Sequence, residues 1–220
     1  MIIAIDGPSG TGKSTVSRAV ATKLGAKYLD TGAMYRIATL HILRCGIDPA
    51  DTAAVIERTA DLPLRISDDP ADTRVFLADD DVSAEIRGPE VTAAVSAVSA
   101  IPEVRGNLVA QQRRIAATAG DIVMEGRDIG TVVLVDAPTK VYLDARPEVR
   151  AQRRHDQNVA AGKASDYDAV LADVIRRDEL DSSRKTSPLR PAEDATIIDT
   201  SDLTMDEVIS AVIKTYKEGK

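Results

Sequence analysis

Hydrophobic and polar positions change period along the chain, and each change marks an element. Ile2 to Asp6 is a short apolar run that stops at a Gly-rich turn, the pattern of a strand buried on both faces. Lys13 to Leu24 follows with apolar positions at Val16, Ala19, Val20 and Leu24, one face of a helix. Ala26 to Asp30 predicts a second strand, and Thr31 stands where it would cap a helix over Ala33 to Cys45 that ends at Gly46. After Asp48-Pro49 come three β-like runs, Leu62 to Ser67, Thr73 to Ala78 and Val82 to Ile86. Asp68-Asp69-Pro70 and Asp79-Asp80-Asp81 divide them, which predicts a small antiparallel insertion over about 61–86. Helical texture returns from Pro89 to Ala119. Asp121 to Glu125, Lys140 to Ala145 and Thr196 to Asp199 predict further strands, and Pro147 to Ala161, Tyr167 to Ser182 and Met205 to Tyr216 further helices. Strands alternating with helices imply an α/β fold, a parallel sheet flanked by helices on both faces.

Composition narrows the function. A chain of 220 residues suits one domain with an insertion. Its net charge of -7 repels nucleic acid and anionic membrane surfaces, and with no Trp and one Phe it lacks stacking platforms for single strands. One cysteine, Cys45, permits neither an intramolecular disulfide nor a multi-thiolate zinc site. Met1 leads straight into a strand, and no apolar stretch reaches the roughly 20 residues of a membrane span, so a cytoplasmic protein is expected.

Gly7-Pro8-Ser9-Gly10-Thr11-Gly12-Lys13-Ser14 fits G-x-x-x-x-G-K-S between a strand and a helix, the context that gives this motif meaning. Its glycines let consecutive backbone N–H groups turn toward phosphate oxygens at a helix N-terminus. Lys13 would reach the β- and γ-phosphates, the Ser14 hydroxyl would sit on Mg²⁺, and Thr15 would touch the α-phosphate. Binding of a nucleoside triphosphate follows, but the loop is shared by GTPases, motors and small-molecule kinases.

The acceptor side is weaker residue by residue. Asp30-Thr31-Gly32-Ala33-Met34-Tyr35-Arg36 ends the second strand, and Arg36 is a fork-shaped phosphate donor that reads equally as a surface arginine on a capped helix. Met124-Glu125-Gly126-Arg127-Asp128 lies beyond a strand's carboxyl end, where ligands of parallel sheets collect. Arg150, Arg153 and Arg154 share one helix face, as do Arg177, Asp181 and Arg184. By themselves both stripes read as solvated faces.

In combination, Gly-Pro-Ser-Gly-x-Gly-Lys-Ser-Thr, Asp-Thr-Gly-Ala-Met-Tyr-Arg and Glu-Gly-Arg-Asp-Ile-Gly-Thr-Val-Val, in this order, resemble the bacterial cytidylate kinases, and the similarity spans essentially the whole chain. The resemblance implies a P-loop core over 1–30, 95–146 and 183–220. It implies an acceptor-binding region over 31–94 carrying the β insertion, and a helical lid with its adjoining helix over 147–182. It further implies that Thr31, Asp128, Ser96 and Arg105 surround the pyrimidine, that Tyr35 also binds the nucleoside monophosphate, and that Arg36, Arg127 and Arg184 hold the acceptor phosphate. Arg177 and Asp181 would face the ribose, and Arg150, Arg153 and Arg154 would close over ATP. Lys13, Arg127, Asp128 and Arg184 would then be the catalytic residues, with Mg²⁺ as cofactor, CMP or dCMP as acceptor, and a monomer as the working unit. Leu180-Asp181-Ser182-Ser183-Arg184 is less basic than the family pattern. Three competitors are a kinase for another acceptor (AMP, UMP, dephospho-coenzyme A or a sugar), a nucleotide-dependent switch and a nucleic-acid-binding module.

Overall fold

A computed structural model describes residues 1–219. Five parallel strands form the central sheet: β1 (Ile2–Asp6), β2 (Lys27–Asp30), β6 (Ile122–Gly126), β7 (Thr139–Asp144) and β8 (Thr196–Asp199), in the spatial order β2-β6-β1-β7-β8. Alternate side chains of these strands enter two separate cores. Ala4, Leu29, Ile122 and Met124 pack on one face with α2 (Thr31–Arg44) and α5 (Pro102–Ala119). Ile3, Ile5, Val123, Val141 and Leu143 pack on the other with α1 (Lys13–Leu24) and α8 (Met205–Glu218). Burial on both faces is why the strands read as unbroken apolar runs rather than alternating ones. The two cores are built mainly from Ala, Val, Ile and Leu, with Met34, Met124, Tyr28 and Tyr35 among them.

The insertion is a second sheet of three short antiparallel strands, β3 (Leu64–Ile66), β4 (Val75–Leu77) and β5 (Asp80–Asp81). Val75, Leu77, Val82 and Ile86 bury against Ala33, Ile37 and Leu40 of α2 in a third core. The insertion is fastened to the helix that follows β2 and, through Asp68, to β2 itself: the Asp68 carbonyl accepts from the Tyr28 N–H at 2.8 Å and its carboxylate pairs with Lys27.

Four expectations need correction. Val82 to Ile86 is not the third strand; that strand is Asp80–Asp81, within the supposed turn, and the chain then folds into a 3₁₀ turn at Glu85–Arg87. The helical stretch from Pro89 to Ala119 is two helices, α4 (Pro89–Ser99) and α5, parted where Ile101 takes the extended backbone imposed by Pro102. An eight-residue helix, α3 (Thr52–Thr59), capped by the Asp51 carboxylate, fills a segment without an assigned element. Finally, Asp30 and not Thr31 caps α2: its carboxylate accepts from the Ala33 N–H at 3.0 Å. The remaining helices, α6 (Pro147–Ala160) and α7 (Tyr167–Ser183), form an adjoining pair joined by a Gly-containing turn.

Candidate functional site

The loop between β1 and α1 is shaped by close backbone approach. A Cβ on Gly7 would lie 2.0 Å from the Leu143 carbonyl oxygen of β7, so no other residue fits there. Gly12, at φ 86°, is the N-cap of α1 and offers no capping side chain, and the first turn holds no acidic residue. The helix thus presents its opening N–H groups and partial positive charge to whatever lies in the loop. Ser14 and Thr15 stand exposed on that first turn. Lys13 is folded back, its Nζ donating to the Pro8 carbonyl at 2.5 Å and lying 3.5 Å from Thr11 Oγ1. Burial, and then the Arg127 guanidinium, push its pKa down, against the opposing pull of Glu125, Asp6 and Asp30.

Those carboxylates are brought together by strand register. Asp30 pairs across from Glu125, and Asp6 across from Gly126, so three acidic groups stand at the carboxyl edge of neighbouring strands. Asp6 accepts from the Ile129 and Gly130 N–H groups, each at 2.8 Å, and so holds the π-helical turn Ile129–Val133 against the end of β1. Burial pushes its pKa up to about 6, partly countered by the two N–H groups. Glu125 Oε1 accepts from the Tyr28 hydroxyl at 2.6 Å, whereas the buried Oε2 has no partner. The Ser14 hydroxyl lies beside this carboxylate, whose pKa burial and Asp30 raise. Sequence reasoning passed over Asp6 and Glu125; their signal was a carboxylate closing a buried apolar run just before a glycine turn.

Across the same edge lies a cluster of guanidinium groups. Arg36 donates from α2 to the Ile86 carbonyl at 3.0 Å and to Thr92 Oγ1 at 3.1 Å, linking the insertion to α4. Burial, followed by the charge of Arg177, lowers its pKa to about 10, with Arg87 and Arg127 adding to the effect. Arg127 pairs with Asp181 at 3.2 Å, and Arg184 stands 3.9 Å from the same carboxylate while donating from Nε to the Ser187 carbonyl at 2.5 Å. Arg177 Nε and Arg184 Nη2 are buried without a partner. The structure therefore gathers Arg36, Arg127, Arg177 and Arg184 and adds Arg87, 3.9 Å from Asp30, which nothing in the hydrophobic pattern singled out. One carboxylate, Asp181, serves several cations, leaving the cluster net positive within a protein that is net negative.

Behind the cluster is a buried ion pair. Arg105 and Asp128, both almost fully buried, form an ion pair; Arg105 Nη1 donates to the Ser99 carbonyl at 3.0 Å, and its guanidinium lies 5.0 Å over the Tyr35 ring. Ser96 is buried on α4, its carbonyl accepting from Ser99 Oγ. The Thr31 hydroxyl, expected to meet a ligand, donates to the Glu125 carbonyl at 2.7 Å.

The three arginines of α6 part company. Arg150 is 2% exposed and spends its donors on Asp178 of α7, the Ala145 carbonyl and the Ser9 carbonyl of the loop. Arg153 donates to Thr200 beyond β8. Arg154 is exposed, and its charge is felt by Arg177.

Solved structures that share the fold include a gluconokinase from Sinorhizobium meliloti 1021, with a TM-score of 0.51 and 16% identity over 98% of this chain and 91% of that one. A protein from Eubacterium ventriosum matches with a TM-score of 0.53 and 13% identity over 100% and 99% of the two chains. At these identities they establish the architecture alone. Curated relatives carry the family. A cytidylate kinase from Corynebacterium efficiens is 72% identical over 97% of this chain and 93% of its own length. One from Rhodococcus opacus is 61% identical over 99% and 95%. The cytidylate kinase family model matches residues 3–218, and the chain belongs to that family.

Proposed function

We propose that the protein transfers the γ-phosphoryl group of ATP to the phosphate of CMP, and of dCMP. The observation that supports this most is the placement of two anion sites across one sheet edge: the helix N-terminus with Lys13, and the guanidinium cluster of Arg36, Arg127, Arg177 and Arg184. The nucleophile is an oxygen of the acceptor's own phosphate, which is largely ionised near neutral pH because its second pKa is about 6. No side chain has to take a proton. Both histidines stand apart, His41 on α2 and His155 on α6, the latter 3.0 Å from Ser165 Oγ.

Catalysis is then positioning and charge neutralisation. Lys13 exchanges the Pro8 carbonyl for phosphate oxygens, and the backbone N–H groups of the Gly7–Lys13 loop hold the rest of the ATP tail. Arg127 and Arg184 draw the acceptor phosphate in line, Arg36 holds it on the other side, and Arg177 stands toward the ribose. Thr31, Tyr35, Ser96, Arg105 and Asp128 shape the base recess, with Asp181 toward the ribose. Segment 31–94 acts as the acceptor-binding region and 147–182 as the lid. Within the lid Arg150 braces the Ser9 carbonyl while Arg153 and Arg154 are the arginines left to meet ATP. Closure excludes water, the competing nucleophile.

A divalent cation fits the residues present. The Ser14 hydroxyl stands beside Glu125, whose buried Oε2 has no partner, with Asp30 on the next strand. No group of three or more His, Cys, Asp or Glu side chains that could hold a metal occurs among the described residues, which suits an ion carried mainly by the nucleotide's phosphates. When bound, Mg²⁺ supplies neutralisation of phosphate charge. No helix among the described residues is long and apolar enough to cross a membrane. ATP and a nucleoside monophosphate as substrates suit a cytoplasmic enzyme, and one chain contributes every group named here, which suits a monomer.

ADP release from MgATP, measured with CMP, dCMP, UMP, AMP, GMP, dTMP and no acceptor, tests the reading. Strong turnover with CMP or dCMP and little without acceptor is expected. Turnover with a different acceptor alone would overturn the base assignment, and equal ATP loss in every tube would leave an ATPase.

A further inference from the structure

Among the described residues, two that are not glycine take a left-handed backbone, Ala78 at φ 52° and Ser187 at φ 51°. For Ala78 the cause is local: it stands in the two-residue turn between β4 and β5, where tight hairpins call for a positive φ. Ser187 lies in no hairpin. It precedes Pro188, whose ring favours extended backbone in the residue before it. Among the described residues its hydroxyl makes no hydrogen bond. Backbone of this kind persists only where the surrounding structure imposes it, and it gathers at ligand clamps.

The carbonyl of this strained residue meets a guanidinium of the acceptor cluster. Arg184 Nε donates to the Ser187 carbonyl at 2.5 Å. Arg184 is the residue at which α7 ends; its backbone is extended and its side chain is 6% exposed. Two residues past Ser187, the Leu189 N–H donates to the Asp181 carbonyl at 2.8 Å, and the Leu189 side chain is buried. The turn is thus pinned back onto the last coil of α7, with one edge of the guanidinium held inside it. Nη1 stands 3.9 Å from the Asp181 carboxylate, and Nη2 is buried without a partner. One fixed carbonyl therefore removes much of the rotational freedom of Arg184 before any ligand arrives, and a preorganised donor binds more tightly.

We propose that Ser187 is a positioning residue for Arg184: its left-handed backbone turns a carbonyl onto Nε and leaves Nη1 and Nη2 to receive the acceptor phosphate. This rests on the reading that Arg184 holds that phosphate. The role belongs to the backbone and not to the hydroxyl, so it survives in any residue that tolerates a positive φ. Glycine does; threonine, which keeps the hydroxyl and adds a branch at Cβ, does not. The chemically conservative change is the harmful one.

The test is titration calorimetry of CMP and of MgATP, each alone, with the wild type, S187G, S187T, R184A and the S187T/R184A double variant, alongside melting temperatures. S187T is expected to weaken CMP binding roughly tenfold, the size of one hydrogen bond to a charged group, with MgATP binding unchanged. S187G should bind CMP within about twofold of the wild type, since glycine adopts this φ freely. In the R184A background S187T should cost nothing more, because both changes remove the same contact. Undiminished CMP binding by S187T, a loss in S187G equal to that in S187T, additive losses in the double variant, or equal weakening of CMP and MgATP would overturn the inference. If S187T fails to fold, S187G must still bind CMP as the wild type does, or the inference falls. A wild type that does not bind CMP would defeat the functional reading itself, a result distinct from a CMP-binding wild type whose affinity S187T leaves in place.

Discussion

At the scale of single residues, the donor site was legible because its chemistry is local. Gly7, Gly12, Lys13 and Ser14 are near neighbours in the chain, and the loop they form depends on few others. Replacing Lys13 with Ala is expected to cut turnover by orders of magnitude through the donor, and Arg184 with Ala through the acceptor. Comparison of kcat with each substrate varied in turn checks both; unchanged turnover in either would remove that residue from the machinery. Asp6 was not legible, since its partners are 123 and 124 positions away and meet it only through strand register. Its consequence is measurable. A buried carboxyl whose pKa is raised from 3.8 to about 6 binds more proton in the folded than in the unfolded chain between those values, so its contribution to stability falls as pH rises through them. In D6N that slope is absent. Urea unfolding at pH 4 and pH 6.5 should show the wild type losing roughly 2 kcal/mol relative to D6N across the window. A constant difference between the two proteins would mean that Asp6 titrates normally.

Among the elements, the strands and long helices followed their periodicities, whereas the misreadings have identifiable physical causes. β5 is two aspartates, Asp80 and Asp81, whose side chains both face solvent; pairing with β4 decides their conformation and propensity does not. Pro102 was the visible break between α4 and α5, but apolar spacing on either side disguised it. α3 is too short to display a period. The element whose role changes most is α6. Its inward arginine, Arg150, ties it to Asp178 of α7 and to the Ser9 carbonyl of the loop before α1, so α6 and α7 are joined at their base. Replacing Asp178 with Ala leaves a buried guanidinium without its counter-charge, a loss of roughly 3–5 kcal/mol where the site is fully desolvated, and less here because Asp178 is partly exposed. We expect D178A to lower the melting temperature and to raise KM for ATP more than KM for CMP. An equal change in both would separate this pair from the donor site.

For the whole molecule, ligand binding and stability are linked through the cleft. A ligand that binds only the folded state stabilises it by RT ln(1 + [L]/Kd), about 2.7 kcal/mol at a hundredfold excess over Kd. CMP and ATP should each raise the melting temperature, and the pair together should raise it further; a chain stabilised by ATP alone would lack the acceptor half of its site. Burial, and then the charges of Arg177, Arg87 and Arg127, depress the proton affinity of Arg36; burial and then Arg127 do the same to Arg177, and burial and then Arg105 to Arg184, with Asp181 shared among Arg127, Arg177 and Arg184. Such a gathering is an ion-exchange site in miniature, held by the fold in the form that wants a counter-ion. The acceptor's phosphate is therefore in competition with every small oxyanion in its surroundings. Sulfate or inorganic phosphate should act as a competitive inhibitor toward CMP, at concentrations where sodium chloride of equal ionic strength does not.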